Sequence, residues 1–112
     1  MVVDLYPFED TVASGASHSS IIEKIDIGGI SLIRAGAKNH ADTVIIGSNN
    51  EYSDLLQILT EQEGKTSLEQ RQTLAAKAFN VSSHYDAAIF NWFQTNTQVS
   101  GFKKSVSVGE SL

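Results

Sequence analysis

Short β-branched runs alternating with longer helical patterns predict an α/β layered fold for this chain. The runs are "VVDLYPF" near the start and "TVIIG" at residues 43–47. Between and after them lie segments whose apolar residues recur at helical spacing, and no internal repeat is present. Two strands with three or four helices make an incomplete layer, because sheets usually have about four to six strands and a two-stranded one is marginal alone. The pattern therefore predicts part of a domain, completed by residues outside this sequence or by partner chains.

In "VVDLYPF" Pro7 cannot donate to a sheet ladder, so the first strand should end near Leu5 or Tyr6. Tyr6 and Phe8 would then sit at its C-terminal edge, where open α/β sheets bind ligands. "TVASGASHSS" reads as a loop of small polar residues. Ser20 with Glu23 resembles a capping box opening a short helix over "IIEKI", which Gly28-Gly29 interrupts. A second helix should follow with Ile30, Ile33 and Ala37 on one face, ending near Asn39. Tyr52, Leu55, Leu56 and Leu59 mark an amphipathic helix that Gly64 can close. Ser67 and Gln70 form another capping box at the start of a long helix reaching about Gln94, with Leu68, Ala75, Ala78, Tyr85, Ile89 and Trp92 as its apolar stripe. Beyond it "NTQVSGFKKSVSVGESL" has no stripe and reads as a linker or extended arm.

Composition narrows the functional classes. The 112 residues are 41% hydrophobic and 19% charged, which fits one ordinary domain or part of one. A net charge of -5 argues against a general nucleic-acid binder, which needs a surplus of lysine and arginine facing phosphates. Cysteine is absent, and His18, His40 and His84 are scattered, so no metal site is expected. No apolar run approaches the ~20 residues of a membrane span, and the first residues lack the basic and apolar regions of a signal peptide. The expectation is a cytoplasmic protein with no membrane or nucleic-acid partner.

The stretch "IDIGGISLIRAGAKNH" carries polar groups at both ends of the predicted second helix. Asp26 precedes Gly28-Gly29 and fits two roles: an N-cap favoured by the helix dipole, or a ligand-binding carboxylate. Gly28 and Gly29 would expose backbone N–H groups to an anion or a polar heterocycle with little steric resistance. Lys38 is either a cation at a helix C-terminus or a functional ammonium, and Arg34 one turn earlier places like charges on one face. Tyr6 alone reads as a half-buried aromatic.

Taken in order, "VVDLYPFEDTVAS", "IEKIDIGG", "LIRAGAKNH" and "SLEQRQTLAAKAF" resemble the IMP cyclohydrolase domain of the bifunctional purine biosynthesis enzymes, over about residues 2–93. The resemblance implies an incomplete methylglyoxal-synthase-like (Rossmann-like) layered domain over residues 1–96, with a long C-terminal helix, and a linker over 97–112 towards an absent formyltransferase domain. The family's phosphate-gripping Gly-Gly-Thr loop and its Arg-Val-Lys-Thr lysine do not occur in this sequence, so the segment alone is expected to be inactive. Two positions depart from the pattern: Asp4 replaces an expected asparagine and Gly36 a commoner alanine. A carboxylate accepts hydrogen bonds but cannot supply an amide's donors.

The implied reaction closes 5-formamidoimidazole-4-carboxamide ribotide to IMP, with loss of water and no metal or cofactor. The carboxamide nitrogen attacks the formyl carbon, which calls for a proton acceptor, a donor to the developing oxyanion and proton delivery to the departing hydroxyl. By position the resemblance assigns Lys38 as proton donor and acceptor, Asp26 as its carboxylate partner and base contact, and Tyr6 as oxyanion donor. It places Val3, Asp4, Ile27, Gly28 and Gly29 against substrate. The absent second domain would use 10-formyltetrahydrofolate, and the partners implied are a purine ribonucleotide (FAICAR or IMP) and a second copy in a homodimer. An uninterrupted helix would put about 18 Å between the Cα atoms of Asp26 and Lys38. Either the Gly-Gly turn folds Asp26 back along the helix, or a second chain contributes one of the pair. The rival class is a nucleotide-sensing or oligomerisation module that keeps the fold without catalysis.

Overall fold

A computed structural model of the chain describes residues 1–97, and the expected linker lies outside the described residues except for Thr97. The element order is α1 (Phe8–Ala13), α2 (His18–Glu23), α3 (Gly28–Lys38), a 3-10 turn (Asn49–Glu51), α4 (Tyr52–Glu61) and α5 (Leu68–Thr95). The described residues are mostly helical.

The two expected strands contract to a single parallel bridge between Val2 and Ile46. Around it the Val3 N–H donates to the Ile46 carbonyl at 2.9 Å and the Ile46 N–H to the Met1 carbonyl at 2.8 Å. The segments do run side by side, as the β-branched runs predict. Neither has a second neighbour among the described residues, and an isolated strand pair gains too little to extend. Pro7 halts pairing on one side, and the chain turns directly into α1.

Helix α1 corrects the first loop reading, since "FEDTVA" is helical where only a strand edge and a loop were expected. Pro7 supplies a suitable φ of -79° just before Phe8, and the acidic Glu9 and Asp10 face the positive end of the helix dipole. The cap of α2 also moves. Ser17, not Ser20, is its N-cap, and the Ser17 hydroxyl accepts from the Ser20 N–H.

Helix α3 begins at the glycines and runs unbroken to Lys38, with Ile33, Gly36 and Ala37 buried. Gly36 matters at this contact: a Cβ there would lie 2.8 Å from the Ile45 methyl and 3.1 Å from the Met1 sulfur. The glycine that departs from the family pattern thus lets α3 press against the Met1 and Ile45 segments.

No residue of α4 is fully buried, and Leu56, one of its predicted apolar positions, is exposed. The helix closes with Glu63 at φ 55° and Gly64 at φ 81°, while the Gly64 N–H reaches the Leu59 carbonyl at 2.7 Å. This is the Schellman arrangement, with glutamate at the left-handed position that glycine usually takes.

The Ser67–Gln70 capping box opens α5 as predicted. Along α5 the buried face is Leu74, Ala75, Ala78, Ser82 and Tyr85, whereas Leu68 is exposed. Packing divides into two clusters joined by Leu5. One gathers Ile33, Ala37, Ile45, Ala75 and Ala78, the other Phe8, Ile21 and Tyr85. The small residues Ala75 and Ala78 let α3 approach α5 closely. The second cluster fastens α1 and α2 onto the far half of α5, with Phe8 edge-on to both Tyr85 and Trp92. No helix among the described residues is long and apolar enough to cross a membrane.

Candidate functional site

The turn before α3 concentrates the polar order of the molecule. Asp26 Oδ1 accepts the Gly29 N–H at 2.6 Å, so the carboxylate does act as a helix cap. Its other oxygen accepts the Tyr6 N–H at 3.3 Å, which ties the turn to the end of the first extended segment. The Asp26 N–H donates to the Tyr85 hydroxyl at 2.8 Å, and that hydroxyl donates to the Lys24 carbonyl at 3.0 Å. The carboxylate is therefore held by the Gly29 and Tyr6 N–H groups, and Tyr85 on the last helix holds the backbone that carries it.

The two glycines are not equivalent. A Cβ on Gly29 would stand 2.7 Å from Asp26 Oδ1 and 2.8 Å from Oδ2, so side-chain absence at Gly29 is a condition of the cap. A Cβ on Gly28 would meet nothing within 4 Å. Ile27 beside it is 74% exposed, leaving an apolar side chain and an open glycine next to the carboxylate.

Tyr6 is exposed, and the Lys24 ammonium lies 5.5 Å from its ring centroid. Its hydroxyl makes no hydrogen bond among the described residues, while its backbone is fixed by Asp26 and by the Phe8 N–H. Tyr6, Asp26 and the Gly28-Gly29 backbone thus share one corner. The corner keeps carboxylate oxygens with lone pairs to spare, and the exposed Tyr6 phenol, a hydrogen-bond donor, extends from the same backbone.

Asp4 and Val3 sit further back. The Asp4 carboxylate accepts the Tyr52 hydroxyl at 3.0 Å, which gives an apolar-stripe residue of α4 a polar role. Asp4 also borders an open groove of about 520 Å³ with Glu9, Ser48, Asn49 and His84. Across part of this groove Glu9 Oε1 and His84 Nε2 are 2.7 Å apart. The Val3 N–H is consumed by the parallel bridge and its side chain packs on the core.

Lys38 occupies the opposite end of α3, eleven residues long, and about 15 Å of helix rise separates it from the glycine end. It is exposed and lines an open groove of about 440 Å³ with Arg34, Ala37, His40 and Phe79. The Arg34 guanidinium lies 5.8 Å from the Phe79 centroid, which draws it towards α5. The Gly-Gly turn does not fold Asp26 back along the helix. Within one chain, Tyr6, Asp26 and the glycines are brought together and Lys38 is not.

Two contributors escape the sequence reading. Tyr85 reads there only as a stripe residue, and its hydroxyl pins the Asp26 turn. Arg71 donates from Nε to the His40 carbonyl at 3.0 Å and from a terminal nitrogen to the Thr66 carbonyl at 2.8 Å, fixing the end of α3 to the start of α5. Only the phenol of an otherwise apolar stripe could have signalled the first. Among the described residues no group of His, Asp and Glu side chains is arranged to hold a metal ion.

Residues 36–111 match the family model of the AICARFT/IMPCHase bienzyme. The bifunctional purine biosynthesis protein PurH of Bacteroides thetaiotaomicron is 58% identical over 112 residues, all of this chain and 22% of that protein. PurH of Bradyrhizobium diazoefficiens is 46% identical over 99 residues, covering 88% of this chain and 19% of its own length. The crystal structure of ForH superposes with a TM-score of 0.58 at 35% identity, over 63% of this chain and 39% of that one. The chain spans about a fifth of the length of these PurH relatives. The Bacteroides match includes Tyr6, Asp26 and the glycines, which precede the family-model match, as well as Lys38 within it. On these matches the chain belongs to the AICARFT/IMPCHase bienzyme family.

Proposed function

We propose that this chain is the later part of an IMP cyclohydrolase domain, the unit that closes 5-formamidoimidazole-4-carboxamide ribotide to IMP in purine biosynthesis. The observation that carries the reading is the corner built by Tyr6, Asp26 and Gly29, where a carboxylate and an unengaged phenol face outward beside an open glycine. In the reaction the carboxamide nitrogen bonds to the formyl carbon, one carboxamide proton passes to the formyl oxygen to make a hydroxyl, and that hydroxyl leaves as water with the formamido N–H proton as the ring C=N bond forms. Asp26 accepts an N–H of the base and pairs with an ammonium, Tyr6 donates to the developing oxyanion, and Lys38 takes the amide proton and returns one to the leaving hydroxyl. Gly28, Gly29, Ile27, Val3 and Asp4 line the base and ribose side.

The separation of Asp26 from Lys38 along α3 supports a homodimer in which Lys38 of one copy completes the corner of the other. Residues 1–96 then belong to a methylglyoxal-synthase-like α/β layer whose remaining strands flank the Val2–Ile46 bridge, and 97–112 lead towards a formyltransferase domain. The formyl donor of that second reaction, 10-formyltetrahydrofolate, takes no part in ring closure. The proposed setting is the cytoplasm, with a purine ribonucleotide as ligand and neither membrane nor nucleic acid as partner.

The test is direct. Full-length protein supplied with the formylated ribotide should form IMP, followed by absorbance, without added metal. Binding of IMP with no ring closure would favour a nucleotide-sensing module, and neither binding nor closure would overturn the reading.

A further inference from the structure

We propose that Tyr85 is a positioning residue that fixes Asp26 against Tyr6 for ring closure, an inference resting on the reading of the Asp26 corner above. Tyr85 touches neither the outward face of the carboxylate nor the Tyr6 hydroxyl. It acts through a closed circuit of contacts. Its hydroxyl accepts the Asp26 N–H at 2.8 Å, and its ring lies edge-on to Phe8 with centroids 6.2 Å apart. The Phe8 N–H donates to the Tyr6 carbonyl at 2.8 Å, and the Tyr6 N–H returns to the Asp26 carboxylate at 3.3 Å. One buried side chain on the longest helix therefore braces the backbone from which both proposed reacting groups extend. Phe8 is 2% exposed and Tyr85 7% exposed, so the circuit is anchored in close-packed core rather than in a loop.

The phenol is suited to this task because it serves as acceptor and donor at once, to Asp26 and to the Lys24 carbonyl. Burial pushes its titration upward, the Asp26 N–H pulls it down, and the Asp26 and Asp86 charges raise it again. It stays protonated at neutral pH and keeps both bonds.

Tyr85→Phe in the full-length enzyme keeps the ring and its contact with Phe8 while freeing the Asp26 turn. We expect kcat for ring closure to fall about 10-fold with KM within about 2-fold, since small misplacements of reacting groups cost rate more than binding. Formyl transfer by the same protein serves as a control and should hold, and the melting temperature should fall only slightly with the loss of the hydroxyl's two hydrogen bonds. In an Asp26→Asn background the same change should cost nothing further, because Tyr85 acts through Asp26. Parental kcat in Tyr85→Phe, with Asp26→Asn inactive, would overturn the positioning role alone. Loss of melting temperature and formyl transfer in proportion to ring closure would make Tyr85 structural and overturn it too. Full ring closure in Asp26→Asn would overturn the reading of the corner and this inference with it.

Discussion

The two ends of α3 differ in how this chain holds them. At the N-terminal end, Asp26 receives the Gly29 and Tyr6 N–H groups and donates its own to Tyr85. At the C-terminal end Lys38 is exposed beside Arg34, and no ion pair engages it among the described residues. A carboxylate held by two backbone N–H groups, on a turn whose own N–H is bound by Tyr85, is preorganised, and orientation of that kind lowers a barrier before any substrate arrives. A long ammonium chain in solvent is not, and its placement depends on what docks against it. The corner is thus built within this segment, while among the described residues nothing fixes the Lys38 side chain.

The largest effect that would sharpen the contrast is on chemistry at the loose end. In the full-length protein Lys38→Ala should lower ring closure ~10²-fold or more by removing a proton-transfer group, with melting and formyl transfer unchanged. Mixing and reassembling the Lys38→Ala and Asp26→Asn proteins should then restore about a quarter of the parental rate, because half the dimers are mixed and one of their two sites is intact. No recovery from mixed dimers would place both residues in one chain and break the composite site.

At the tight end the strongest effect falls on stability. Gly29→Ala drives a methyl group into the Asp26 carboxylate and should cost about 1–3 kcal/mol in chemical denaturation. Gly28→Ala, one residue earlier, meets open space and should be neutral or stabilising by up to about 1 kcal/mol. Equal costs at the two glycines would show that the cap geometry is not what holds the turn.

A smaller effect concerns pH. Tyr85 titrates above its ordinary value of 10.0, chiefly through burial. A group raised in the folded state contributes stability that is complete below its unfolded value and lost as pH rises through the folded one. Denaturation midpoints should therefore hold to about pH 9 and fall above about pH 10, and Tyr85→Phe should flatten that fall. An identical decline in the variant would assign the alkaline loss to other groups.

Local rules made much of this legible. The Ser67–Gln70 box and the start of α3 at the glycines follow from residues close in sequence, and the two β-branched segments that meet at the Val2–Ile46 bridge were each legible as extended runs. The strands did not extend because pairing needs neighbours that no local pattern supplies. Helix α1 was hidden by Pro7, which ends a strand and opens a helix equally well. Asp26 was legible as a cap or a ligand, and the structure shows the cap while leaving its outer lone pairs free. Tyr85 was legible only as bulk, because its partners Lys24 and Asp26 lie about sixty residues away.

The most direct measurement of the central claim, that the Asp26 corner serves chemistry and not only capping, is turnover beside thermal melting in full-length Asp26→Asn. Asparagine caps a helix about as well as aspartate but carries no charge and cannot pair with an ammonium. The melting temperature should stay within a few degrees of the parent while ring closure falls by ~10²-fold or more. Ring closure at the parental rate, or a loss of activity no greater than the loss of folded protein, would contradict the claim and leave Asp26 a helix cap alone.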